Sequence, residues 1–155
     1  LFLLMCLFLL NESCNNSNLI KPYEFSGGWK ANEVVEFSFD VSESSSDYNA
    51  FLILRHNKNY AFSNIFLITN IVFENQYSKT DTLEYILSKK NGEWLGEKKL
   101  SIVEHKLLFK KNLNLIKDSI YKISIRNSMR LNNEVNPITN LNNVIDLGLL
   151  IEIEE

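Results

Sequence analysis

The chain has 155 residues, 45% of them hydrophobic and 23% charged, which excludes a disordered chain and suits one domain with a sizeable core. Lys and Arg total 16 against 19 Asp and Glu, a net charge of -3, so the basic surface of a dedicated nucleic-acid binder is missing. With 2 Pro and 5 Gly, collagen-like and low-complexity classes are excluded too.

The first ten residues, LFLLMCLFLL, are all apolar, and the character then flips to NESCNNSN. A run this short does not span a bilayer, which needs about 20 residues. It matches the apolar stretch of a secretory signal. No Met opens the chain and no Lys or Arg precedes the run, so the expectation is a truncated leader over residues 1–13. Both cysteines, Cys6 and Cys14, lie here, which excludes a domain stapled by disulfides. Cys6 reads as one more apolar residue. Cys14 follows small Ser13, with Leu10 four residues upstream, and looks like the lipidated cysteine of a bacterial lipoprotein. Glu12 and the upstream Leu10 depart from the strict pattern. Residues 14–22 are expected to be the lipidated Cys and a tether, and residues 23–155 the folded domain. No acidic run follows Cys14, which favours a domain facing the periplasm.

Strict alternation begins at Glu33. In EVVEFSFDV, Val35, Phe37, Phe39 and Val41 point one way, and Glu36, Ser38 and Asp40 the other. The polar stretch DVSESSSD reads as a solvated turn, because Asp40, Glu43 and Asp47 fit no calcium-loop spacing. Residues 48–55 and 65–73 are apolar on both faces and predict central strands, separated by the loop HNKNYAFSN. Residues 80–87 alternate again, with Leu83, Tyr85 and Leu87 inward. Asn91-Gly92 marks a tight turn. Residues 97–108 carry Leu100, Val103 and Leu107 at helical spacing and predict an irregular segment or short helix. Residues 120–126 place Tyr121, Ile123 and Ile125 on one face. Residues 138–143, after Pro137, predict one helical turn. Ile145, Leu147, Leu149, Ile151 and Ile153 form the last strand. Phe37, Phe39, Leu52, Ile68, Ile123 and Leu149 are the expected core. The pattern predicts an all-β fold, a two-sheet antiparallel β-sandwich, with jelly-roll and Ig-like topology both open.

No constellation for catalysis is visible. His56 and His105 stand in unrelated segments without metal-ligand spacing and read as surface or loop residues. Asp81 and Glu84 fall on opposite faces of a strand. G-x-S-x-G, P-loop and G-x-G-x-x-G motifs are absent from the sequence. The expectation is therefore no catalytic, metal or cofactor-binding residues, and no small-molecule substrate. Four aromatics beside turns, Trp29, Tyr60, Phe62 and Trp94, are the candidate partner contact. Trp29 and Trp94 also carry the alternative reading, a glycan-binding sandwich, since loop tryptophans stack on sugar rings.

Five segments in order then point to one family: FSGGWKANEVVEFSF, YNAFLILRHNKNYAFSNIFL, DTLEYILSKKNGEWLG, IYKISIRNSMR and LNNVIDLGLLIE. Together they resemble the gliding-motility lipoprotein GldH family of the Bacteroidetes over about residues 23–152. Ala61 stands where that family often has Pro. The resemblance implies a lipid-anchored, non-enzymatic envelope protein of the gliding and type IX secretion machinery. It implies other envelope proteins of that machinery as partners, and Cys14 as the lipidated residue.

Overall fold

Period-2 alternation governs the chain, and every element it forms among the described residues is a strand. The computed structural model describes residues 17–72 and 78–153. Cys14 and the expected leader lie outside them. One antiparallel sheet runs in the order β1 (Ser17–Glu24), β11 (Val144–Ile153), β4 (Ser45–Asn57), β8 (Ile102–Leu115) and β7 (Glu97–Lys99). A second runs β3 (Val35–Phe39), β9 (Tyr121–Asn127), β5 (Asn64–Val72) and β6 (Ser78–Ile86). A two-stranded ribbon pairs β2 (Trp29–Lys30) with β10 (Asn140–Leu141).

The expected β-sandwich is present, and the strand order resolves its topology. Leaving out the short β2, β7 and β10, successive strands cross between the sheets at every connection but β5 to β6. The eight long strands, counted in chain order, then lie 1-8-3-6 in one sheet and 2-7-4-5 in the other, which is the interleaving of a jelly roll.

The core sits between the sheets. Val35, Phe37, Phe39 and Val41 are buried from β3 onward, while Glu36, Ser38 and Asp40 are exposed. Leu52 and Leu54 of β4 meet Ile123 and Ile125 of β9 and Leu147 and Leu149 of β11 in one apolar cluster. Two bonds from the second sheet's edge tie one side of the sandwich. Tyr85 donates its hydroxyl proton to the Leu108 carbonyl at 2.8 Å, and Lys110 pairs with Asp81.

Several expectations need correction. Ile68 is half-buried on the outer face, because β5 turns Ile65, Leu67, Thr69 and Ile71 inward. A strand apolar on both faces gives no periodic cue to its register. Residues 97–108 are not helical. They form the β7–β8 hairpin, with Lys99 opposite Ile102 and Leu100-Ser101 as its turn. Val103 and Leu107 share a face at period 2, with His105 between them. Residues 138–143 form β10 rather than a helical turn, since Asn140 and Leu141 pair with Lys30 and Trp29. The strand β1 starts at Ser17 and pairs with β11, so it runs through the boundary expected between residues 22 and 23. A register shift between Val144 and Asp146 buries Val144 and leaves Ile145 half-buried, interrupting the alternation expected there.

Candidate functional site

The inward row of β4 runs Leu52, Leu54, His56, and that of β8 runs Val103, His105, Leu107. Leu54 pairs with His105 and His56 with Val103, so the two imidazoles are diagonal neighbours on one face. Both are buried, at 0% and 3% exposure, which corrects the expectation of surface or loop histidines. The signal was present in the sequence: each histidine continues an apolar alternation. The rings stack at 21° with centroids 5.1 Å apart, and the two Nε2 atoms are 3.0 Å apart.

The hydrogen bonds assign the tautomers. His56 Nδ1 lies 2.7 Å from the Asn57 carbonyl oxygen. A carbonyl only accepts, so that nitrogen holds the proton. His56 Nε2 is then the acceptor, and His105 donates through its Nε2–H. Burial pushes the His56 pKa down, partly opposed by the Asn57 carbonyl. Burial, and then the neighbouring His56, push that of His105 down to about 4. The pair is therefore neutral at pH 7.

An aromatic cap closes over the pair. Trp94 meets His56 edge-on at 4.5 Å between centroids and 62° between planes. Tyr60 packs on His56 at 5.0 Å, and its hydroxyl donates to the Asn64 carbonyl at 3.0 Å. Phe62 is edge-on to Tyr60 at 5.7 Å. Burial raises the Tyr60 phenol well above its ordinary range, so it too stays neutral. Trp94 arrives on a tight hairpin: Gly92 at φ 83 turns the chain, Lys89 N donates to the Glu93 carbonyl, and Leu95 N returns to the Leu87 carbonyl. The hairpin hangs on the Ser63 carbonyl, which accepts from Leu87 N at 2.7 Å and Ser88 N at 3.1 Å. Gly96 then passes close to the His105 ring. A β-carbon there would stand 2.9 Å from both Nδ1 and Cε1.

Three of the four aromatics expected beside turns are thus brought together, Tyr60, Phe62 and Trp94. Trp29 belongs to another cluster. It is fully buried, stacked on Phe25 at 4.8 Å, with its Nε1–H donating to the Glu33 carbonyl at 2.9 Å. The Gly27-Gly28 step that suggested a flexible loop serves packing instead. Gly28 has φ 102, and a β-carbon there would lie 2.8 Å from the Leu141 carbonyl oxygen. Trp29 and Tyr60, at 0% and 4% exposure, are core residues rather than exposed contacts. Phe62 and Trp94 stay half-buried. Trp29 offers no ring face to a sugar in this fold.

The chemistry of the site is that of a buried, neutral pair. One imidazole nitrogen is held by a carbonyl, two hold each other, and the fourth faces Gly96. Among the described residues no three His, Cys, Asp or Glu side chains stand close enough to hold a metal ion.

Fold and site together define a jelly-roll β-sandwich protein with a buried histidine pair in its interior. The chain belongs to the GldH lipoprotein family, whose model matches residues 21–151. It is 36% identical over 151 residues to the gliding motility lipoprotein GldH homolog of Christiangramia forsetii, covering 97% of this chain and 93% of that one. It is 32% identical over 151 residues to the gliding motility lipoprotein GldH of Flavobacterium johnsoniae, covering 97% of this chain and 94% of that one. Among solved structures, the infectious bursal disease virus VP2 subviral particle aligns at a TM-score of 0.40 and 11% identity. That alignment covers 92% of this chain but only 33% of the viral chain, and the likeness is too low to carry an argument.

Proposed function

We propose that this chain is a lipid-anchored, non-enzymatic envelope protein of the Bacteroidetes gliding machinery, acting in its assembly or as a component tied to type IX secretion. The observation that carries this reading is family membership across residues 21–151, with two near-full-length relatives named as gliding motility lipoproteins. Cys14 is the lipidated residue in this reading, and the jelly roll faces the periplasm. A lipoprotein cysteine supplies several acyl chains, and stable anchoring needs more than one. The half-buried Phe62 and Trp94, both packed on Tyr60, are the contact for a partner envelope protein. Aromatics in such positions give a partner large, rigid contact area.

Deletion of the gene, scored for both surface spreading and secretion, tests the role. Loss of spreading with loss of secretion supports a component of the shared machinery. Normal spreading and normal secretion overturn it. The anchor has its own test. Cys14→Ala should move the protein from the membrane fraction to the soluble periplasm, and intact-mass analysis should find no acyl chains.

A further inference from the structure

The register of the first sheet fixes where the chain enters the sandwich. Ser17 of β1 lies opposite Glu152 of β11, and Glu152 lies opposite Asn49 of β4. Cys14 is three residues before Ser17, a stretch that reaches roughly 11 Å at most. At the same end, β4 and β8 run past that row to the pair Ser45 and Leu115, about 13 Å farther along β4. The 116–120 turn follows Leu115 and forms the tip. We propose that this turn is a second membrane contact: Ile116 and Ile120 enter the headgroup–acyl boundary of the bilayer that holds the lipid, and the sandwich stands on this end. The inference rests on the reading of Cys14 as the lipidated residue.

The tether sets the height. With Cys14 at the bilayer surface, Ser17 stands no more than roughly 11 Å above it, and the turn projects farther than that toward the lipid. An upright sandwich therefore brings the turn to the membrane.

The turn itself is held in place. Leu115 and Tyr121, both buried, fix its two ends in the core. Alternation then turns Ile116 and Ile120 outward, at 55% and 59% exposure. Ile116 N donates to the Tyr121 hydroxyl at 2.8 Å, Lys117 N to Ser44 Oγ at 2.9 Å, and Ser119 N to the Ile116 carbonyl at 3.3 Å. The two isoleucines are thus presented on an ordered backbone, which lowers the entropy lost on contact. Lys117 and Asp118, between them, sum to zero charge, so apolar burial rather than attraction to anionic lipid drives the contact. The Trp94 cap packs on His56 at the other end of β4, roughly 35 Å away, and is directed away from the membrane. Exposed Leu100 lies at that far end too, beside the pair Asn57 and Ile102.

The mature, acylated chain on phosphatidylcholine vesicles tests the contact. Acylation leaves no thiol at Cys14, and Cys6 belongs to the expected leader, so Ile120→Cys supplies one site for an environment-sensitive dye. Brominated acyl chains should quench that dye at least twofold relative to unbrominated vesicles, unchanged at high salt. The same dye on Leu100→Cys should stay in water. Lys117→Cys repeats the test with both isoleucines in place. Dye that stays in water at position 117 or 120 of an acylated chain overturns the inference and leaves the lipid reading standing. So does equal quenching at 100 and 120, or quenching lost at high salt. A mature chain whose intact mass shows no acyl chains overturns both.

Discussion

Gly96 and His105 stand so close that only a residue without a side chain fits at Gly96. A β-carbon at Gly96 would sit 2.9 Å from both ring atoms and would also strike the Glu104 carbonyl oxygen. The imidazole is buried and bonded to His56, so it has little room to retreat. Gly96→Ala should therefore destabilise the fold by about 1–3 kcal/mol, the range for overpacking a tight interior. Gly92→Ala separates this from a backbone effect. Gly92 has φ 83 but open space around it, so its variant should show backbone strain alone. Urea unfolding of both proteins makes the comparison.

The neutral histidine pair sets a pH dependence of stability. The folded pKa values lie below the ordinary 6.5, with His105 at about 4. Below about pH 6.5 the unfolded chain then binds protons that the native pair refuses, so stability falls as pH drops from about 6.5 to about 4. A shift of this size in a buried group corresponds to about 3 kcal/mol for His105, with His56 adding in the same direction. Unfolding free energies at pH 7.5 and 4.5 should show that loss, and His105→Gln should flatten it.

Leu100 occupies an unusual position for its type. It is 95% exposed at φ 56, the first residue of the two-residue turn that closes β7 on β8. Ser101, the second residue, has no positive φ, which is the pattern of a type II′ turn that favours Gly first. A left-handed conformation costs an ordinary side chain about 1–2 kcal/mol, part of which glycine returns as unfolded-state entropy. Leu100→Gly should raise stability by about 0.5–1 kcal/mol. A lower thermal midpoint in the variant would contradict this assignment of the turn.

The register of β5 separates neighbouring residues. Leu67 is fully buried and Ile68 half-buried on the outer face. Leu67→Ala should destabilise by about 2–5 kcal/mol and Ile68→Ala by clearly less. Equal losses would place both residues in one core.

The two tryptophans should behave differently. Trp29→Ala should lower stability by about 3–5 kcal/mol, because it empties the stack on Phe25 and frees the Glu33 carbonyl. Trp94→Ala removes a half-buried ring. It should cost less stability, yet reduce pull-down of the envelope partner proposed for this end. Stable Trp29→Ala would show that the ring is not part of the core.

The sequence alone determined that the chain is all-β, and it located β3, β4, β6, β9 and β11. Those strands alternate or run apolar between polar turns, and alternation is a local property that survives without a partner. The ordered segments that mark the family were legible for the same reason, since each is read from neighbours in the chain. Other features depended on contacts across the fold. The β7–β8 hairpin was hidden because its turn carries Leu100-Ser101 rather than glycine or asparagine. Trp29 looked like a loop residue because the close approach of Gly28 to Leu141, which lets the ring enter the core, joins distant segments. His56 and His105 lie 49 positions apart, and only the β4–β8 register makes them a pair. The jelly-roll order was decided the same way, by which apolar faces fill the space between the sheets. Packing is a property of pairs of strands, and alternation specifies which face of a strand is buried but not which strand it meets.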